Sequence, residues 1–345
     1  MTACAAAAQA ATGCANDGLP PLQRRAALAS LATAAACVVG ALGGCATIDA
    51  GPPKVQSLAP GVYLLPGATG AAEPDNLGRI GNIGFIVGPS GVIVIDTGTS
   101  YAHAQVVLAA IARVTDRPVK LALVTHVRPE FVFGGSAFRE RGIAIRMHSR
   151  SARLMAARCE LCLKVLRQTL GDAAMHDTAM YKPDQEFDEP SHLLELIGRP
   201  VRVLHFGHSS GPGDIAVLDE QSGVLFAGGL LDTRRVPDIQ DSELASWQHA
   251  LVALHALHAR VVVPGHGAAI DADIGIAAVE TYLRRLEEKV RSLVDSGASL
   301  IDVGEAAELP EFARWDQYDT IHRRNASIAF LRFERELMFK SETMK

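Results

Sequence analysis

The sequence predicts an α/β (α+β) protein in which two β-sheets pack face to face and helices cover them. Three observations carry that expectation. Apolar runs joined by tight turns, IGFIVGPSGVIVI and DIAVLDEQSGVLFAGG, read as β-hairpins. Strand and helix patterns alternate through two successive halves of the chain, which suits layers of sheet and helix. Beyond about Ile270 the pattern becomes almost wholly helical. A plain parallel sheet fits less well, because neighbouring parallel strands cannot be joined by so short a turn.

In chain order, GVYLLPG is the first clear strand, and the hairpin from Ile83 to Ile95 turns at Gly88-Pro89-Ser90-Gly91. Apolar residues at helical spacing predict a helix over Ala102 to Val114. LALVT is a strand, a short helix follows Gly135, GIAIRM is a strand, and a long amphipathic helix runs from about Arg150 to Leu170. The second half repeats this grammar with different residues. It offers the strand PVRVLHFG, the second hairpin, a helix through SELASWQHALVALHALHAR and the strand RVVVPG. TYLRRLEEKVRSLVDSG and NASIAFLRFERELMF predict helices of a C-terminal extension. The expected boundaries are an export signal over 1–44, a linker over 45–55, the layered domain over 56–270, and a helical extension over 271–345 packed on the same domain.

With 345 residues and 48% hydrophobic composition, the chain can bury a full core. A net charge of −5 without a long basic run gives no electrostatic footprint for nucleic acid, so that partner is not expected. The first residues are of another kind. A polar Ala-rich stretch leads to Arg24-Arg25 and then to the uncharged run AALASLATAAACVVGALGGC, the order of an export signal. The arginine pair resembles a twin-arginine leader, and Leu42-Gly43-Gly44-Cys45 resembles a lipobox, in which Cys45 becomes the lipidated first residue. The expected location is therefore periplasmic, with membrane contact through the lipid alone. Cleavage before Cys45 removes Cys4, Cys14 and Cys37. Cys159 and Cys162 remain as neighbours on one helix face, where ordinary thiols are the expectation over a redox pair.

Four loops that follow predicted strands hold the most suggestive polar residues: Asp96 in VIDTG, His126 in THVRPEF, His208 in FGHSSGPGD and His266 in PGHG. In order and context they resemble the metallo-β-lactamase superfamily. NLGRIGNIGFIVGPSGVIVIDTGTS, the frame of THVRPEFVFG, LFAGGLLD, VVPGHG and RRNASIAF are similar, more closely, to the exported quinoprotein relay system zinc metallohydrolases. The resemblance spans about residues 55 to 335 and implies an αββα sandwich with its site at one sheet edge. It also implies a pair of zinc ions that activate a water for hydrolysis.

Carried over by position, His126, His208 and His266 are residual ligand positions, and Asp96 supports the His126 loop. At the other ligand positions stand Arg128, Glu130, Phe131 and Gly229. Pro129 and Val132-Phe133-Gly134 keep the frame, so these are substitutions within an unshifted motif. Arginine has no acceptor to offer a metal, and phenylalanine and glycine have no side-chain lone pair. The expected cofactor is therefore none or one zinc, without a two-zinc site. In an extended loop Arg128 and Glu130 would face one side and pair, the guanidinium standing where a zinc would sit. Asp214 and Asp232 are stand-in carboxylates by proximity, Asp232 reading better as a turn residue, and His205 points elsewhere.

Three functions follow. One is a non-catalytic relative that binds a small molecule or a protein of a periplasmic dehydrogenase system. Another is a hydrolase of esters, thioesters or lactams with one metal on His126, His208, His266 and Glu130. The third is a metal-free enzyme with Glu130 or a histidine as general base and Arg128 as an electrophilic clamp.

Overall fold

Gly91–Ile95, GVIVI, is buried at every residue, which a strand achieves only when both of its faces are covered. The computed structural model describes residues 54–343 and shows how that covering is made. The export signal, Cys45 and most of the 45–55 linker lie outside the described residues.

One sheet runs in sequence order: β1 (Gln56–Ala59), β2 (Val62–Leu65), β3 (Ile83–Gly88), β4 (Gly91–Ile95), β5 (Val119–Leu123), β6 (Ala144–His148) and β7 (Gln185–Phe187). Its first four strands are antiparallel, and β4 to β7 pair in parallel. The second sheet contains β8 (Ser191–Leu194), β9 (Val201–His205), β10 (Ile215–Asp219), β11 (Val224–Asp232), β12 (Val261–His266) and β13 (Ile270–Asp271). It is ordered 13-12-11-10-9-8, with β11 and β12 parallel and the other pairs antiparallel. Both hairpins form where the turn residues predict them. The short strands β1, β7, β8 and β13 have no such signal.

Strand alternation distributes the core. Ile93 and Ile95 join Ile86, Leu121 and Leu123 against Val203, Val217, Phe226 and Val263 of the second sheet. Val92 and Val94 point the other way, under the helices Tyr101–Val114 and Ser149–Leu170. On the far face of the second sheet, Leu218, Leu225 and Ala227 pack beneath Leu244–His255, Ala272–Asp295 and Arg323–Thr343. Trp247 is fully buried there and donates its indole N–H to the Leu230 carbonyl at 3.1 Å. The C-terminal helices thus pack on the second sheet's helical layer. Cys159 and Cys162 lie on Ser149–Leu170 as free thiols; burial, with Cys162 beside it, pushes the Cys159 thiol up to about 12, where thiolate is scarce.

The two sheets meet at one edge, where β4, β5, β11 and β12 end. The Thr125 carbonyl, just after β5, accepts from the Ile215 N–H of β10 at 2.9 Å. Close approach there needs glycine: a Cβ at Gly134 would lie 1.9 Å from the Thr97 carbonyl oxygen.

Candidate functional site

Pro129 decides the local shape of THVRPEF. Its fixed φ suits the first position of a helix, and Pro129–Val132 forms one short turn with Arg128 as its extended N-cap. The expectation of an extended loop with an Arg128–Glu130 pair is therefore corrected. Arg128 leaves the turn toward Asp238, with Nη1 at 3.1 Å from its carboxylate, and toward Asp241 at 3.9 Å. Glu130 turns instead to His266, whose Nε2 lies 2.9 Å from Oε1.

On the first sheet, Asp96 follows β4 in the left-handed region, φ 67°, a conformation that costs a non-glycine residue about 1–3 kcal/mol. Its Oδ1 accepts the Thr125 N–H at 2.8 Å, and its Oδ2 accepts the Thr125 hydroxyl at 2.8 Å. Thr125 Oγ1 also lies 2.8 Å from His126 Nδ1. A hydroxyl has one proton. With Asp96 ionised, Thr125 spends that proton on the carboxylate and accepts from His126 Nδ1–H, leaving a bare lone pair on Nε2. Burial pushes Asp96 up to about 7, the Thr125 bonds partly offsetting it. Burial also drives His126 down to about 3, helped by the charges of Arg128 and His266, so the imidazole is neutral.

On the second sheet, the end of β12 places His266 between two carboxylates. Nδ1 lies 2.9 Å from Asp232 Oδ1, which also accepts the His266 N–H, and Nε2 meets Glu130. Burial opposes a charge on His266, but Asp232 and Glu130 outweigh it and raise the imidazole to about 9. For Glu130 burial works upward and is overcome by His266 and Arg128, which bring it to about 2. The three residues form a buried carboxylate–imidazolium–carboxylate triad. Asp232, expected as a turn residue, is the partner that orients His266; only its register opposite His266 reveals this.

Arg128 sits in a second network. Asp238 also binds Arg324 at 2.6 Å, and Asp241 also binds Arg158. The order Arg324–Asp238–Arg128–Asp241–Arg158 alternates in sign, so every arginine has a carboxylate. Burial acts against the Arg128 charge, yet Asp238, Glu130 and Asp241 hold it more firmly protonated than usual. Arg332 pins the same loop through the carbonyls of Ile239, Gln240 and Ser242. Nothing in PDIQDSE announces these roles before the C-terminal helix is folded against it.

Between the networks lies a cavity of about 70 Å³. His126, Glu130, Asp214, Asp232 and His266 line it with Arg128. Phe131, wholly buried, wedges its ring 4.2 Å from that of His126 and 5.2 Å from that of His266. Gly229 also faces the cavity, but a Cβ there would lie 2.8 Å from the His126 ring and 3.0 Å from Asp214 Oδ2. Asp214 is 4% exposed; Ser210 donates to it at 2.7 Å, and burial, partly offset by that bond, raises it to about 6.

The structure brings His126, Glu130 and His266 together with Asp96 behind them, and leaves His208 aside. His208 is exposed, bonds through Nε2 to the Asp241 carbonyl at 2.7 Å, and is outside the cavity lining. The expectation that it converges on the pocket is corrected: the loop after β9 carries it outward. His205 bonds to the Asp214 carbonyl and stacks on His148, with ring centroids 3.9 Å apart.

Residues 77–266 match the metallo-beta-lactamase superfamily model. This chain belongs to that superfamily. Its members usually bind zinc. Among solved structures, the superfamily chain is similar to a metallo-beta-lactamase from Pontibacter korlensis, with TM-score 0.55 and 20% identity over 67% of this chain and 98% of that one. It is also similar to a double mutant of a sec-alkyl sulfatase, with TM-score 0.63 and 17% identity over 81% of this chain and 50% of that one. A curated relative is the linear primary-alkylsulfatase of a Pseudomonas species, 22% identical over 252 residues. That match takes in 64% of this chain, which spans about half the relative's length, 47%.

Proposed function

We propose that this is an exported metallo-β-lactamase-fold protein of the zinc metallohydrolase type with most metal ligands replaced. In this reading it is a non-catalytic or strongly altered relative, acting with a periplasmic, quinoprotein dehydrogenase-associated system. The observation that supports it is the Asp232–His266–Glu130 triad, in which both ring nitrogens of a ligand-position histidine are bonded to carboxylates. To bind zinc, His266 would have to lose a proton and one of those bonds. Arg128 cannot ligate, Phe131 fills its position with carbon, and Gly229 has neither a side chain nor space for one. These residues do not fit a two-zinc set, so no hydrolytic step through zinc is derived.

Metal analysis tests this directly, on protein prepared without chelator or tag histidines and then titrated with zinc. Less than stoichiometric metal and no tight uptake are expected. Tight, catalytically competent zinc would overturn the proposal and favour a single-metal hydrolase of esters, thioesters or lactams. The bare Nε2 of His126, with Asp214 on the same cavity, is the observation that keeps this second reading in view. Export is tested separately: Cys45→Ser should abolish lipid-dependent membrane fractionation, and unchanged processing and fractionation would remove the lipoprotein part.

A further inference from the structure

The cavity wall is uneven in what it leaves unsatisfied. Its arginines Arg128 and Arg235 are held by Asp238 and Asp316 at 3.1 and 2.5 Å. Glu130 and Asp232 share His266, each through one oxygen. Among the described carboxylates that line the cavity, Asp214 has no cation within salt-bridge distance, and only the Ser210 hydroxyl donates to its side chain. His126, 4% exposed, lines the same cavity, its Nε2 has no protein hydrogen-bond partner, and with Asp96 ionised that nitrogen carries a free lone pair. The second oxygen of Asp232 also lacks a protein donor, since both of its His266 bonds fall on Oδ1. The wall thus presents acceptors and one carboxylate without an ion-pair partner, while each of its arginines already holds a carboxylate. A buried carboxylate without a counter-charge is costly unless a ligand supplies one.

We propose that this cavity takes the ammonium head of a primary alkylamine, seated between the Asp214 carboxylate and the Nε2 lone pair of His126. An ammonium has three donors and no acceptor, the complement of this wall. Its alkyl part meets Leu154, Val236 and Ile321, which supply apolar surface around the same cavity. A sulfate or carboxylate would face Asp214, Glu130 and Asp232, and each lining arginine is already paired with a carboxylate. A metal ion asks for about four ligands in fixed directions, and the described residues hold no group of three or more His, Cys, Asp or Glu placed to supply them. The inference rests on the metal-independent reading of the site and names the ligand class for it.

Calorimetric titration of the full chain with n-butylammonium tests the proposal, with butyrate, butyl sulfate and zinc as comparators. Saturable one-to-one butylammonium binding is expected, with no measurable uptake of the two anions. Asp214→Asn should weaken it at least tenfold. If Asp214→Asn does not fold, Ile321→Ala carries the test. It should weaken butylammonium while sparing methylammonium. Absence of saturable butylammonium binding, equal affinity in a folded Asp214→Asn variant, an unaltered butyl preference in Ile321→Ala, or tighter binding of either anion would overturn the inference. Tight stoichiometric zinc would overturn the metal-independent reading beneath it, whereas failure of the amine without zinc uptake defeats the amine assignment alone.

Discussion

His126 and His266 face one cavity from opposite sheets and are almost equally buried, at 4% and 7% exposure, yet one is neutral and the other charged. Burial alone would neutralise both. The difference lies in what each touches. His126 meets a hydroxyl that stands between it and Asp96, while His266 touches Asp232 and Glu130 directly. Burial, with the charges of Arg128 and His266, therefore holds His126 at about 3, while Asp232 and Glu130 bring His266 to about 9. The comparison teaches that a family's histidine positions do not specify histidine chemistry; the neighbouring carboxylates do.

The strongest way to break the comparison is to empty its charged side. His266→Ala leaves Asp232 and Glu130 buried without their cation, and a loss of about 3–5 kcal/mol is expected in denaturant unfolding. Adding Glu130→Gln to that variant should recover part of the loss, because one stranded charge is removed.

The next test is pH. The folded value of His266 lies above the ordinary 6.5, so its stabilisation is fully present below pH 6.5 and is lost as pH rises through about 9. The expected fall across that window is on the order of 3 kcal/mol in unfolding free energy. A His266→Asn variant should show little of this slope. A slope of equal size in both proteins would mean that the imidazole is not charged as described.

The neutral side should respond more weakly. Thr125→Val removes a hydroxyl that bonds both Asp96 and His126, and a cost of about 1–3 kcal/mol is expected in thermal unfolding. Nitrogen chemical shifts of His126 should report a changed tautomer balance, which a purely steric effect would not produce. The smallest effect belongs to the histidine outside the pocket. His208→Ala should change stability by no more than about 0.5 kcal/mol and leave the His126 and His266 ring resonances in place.

Much of the fold was legible because period-two burial and turn chemistry act locally. GVIVI and its Gly-Pro-Ser-Gly turn specify a hairpin wherever the chain goes afterwards. Gln185–Phe187 and Ser191–Leu194 were not legible, since strands that short take their identity from the neighbours that pair with them. In the site, His126 and His266 could be found by position in a motif. Asp238 and Asp241 could not, because their role depends on Arg128, 110 residues earlier in the Arg128–Asp238 contact, and on arginines of distant helices.

The sequence by itself determined the chemical limits of this protein. It fixed which groups Arg128, Phe131 and Gly229 can offer, a donor without a lone pair, a carbon ring and no side chain, and it set the alternation that builds two covered sheets. Only the tertiary structure decided the pairing. Pro129 turned Arg128 and Glu130 apart, and folding brought Glu130 to His266 across 136 residues and Arg128 to Asp238 instead. The physical reason is that a residue's donors and charge are fixed by its own covalent structure, whereas its partner, and through the partner its proton, is fixed by distance in the folded chain.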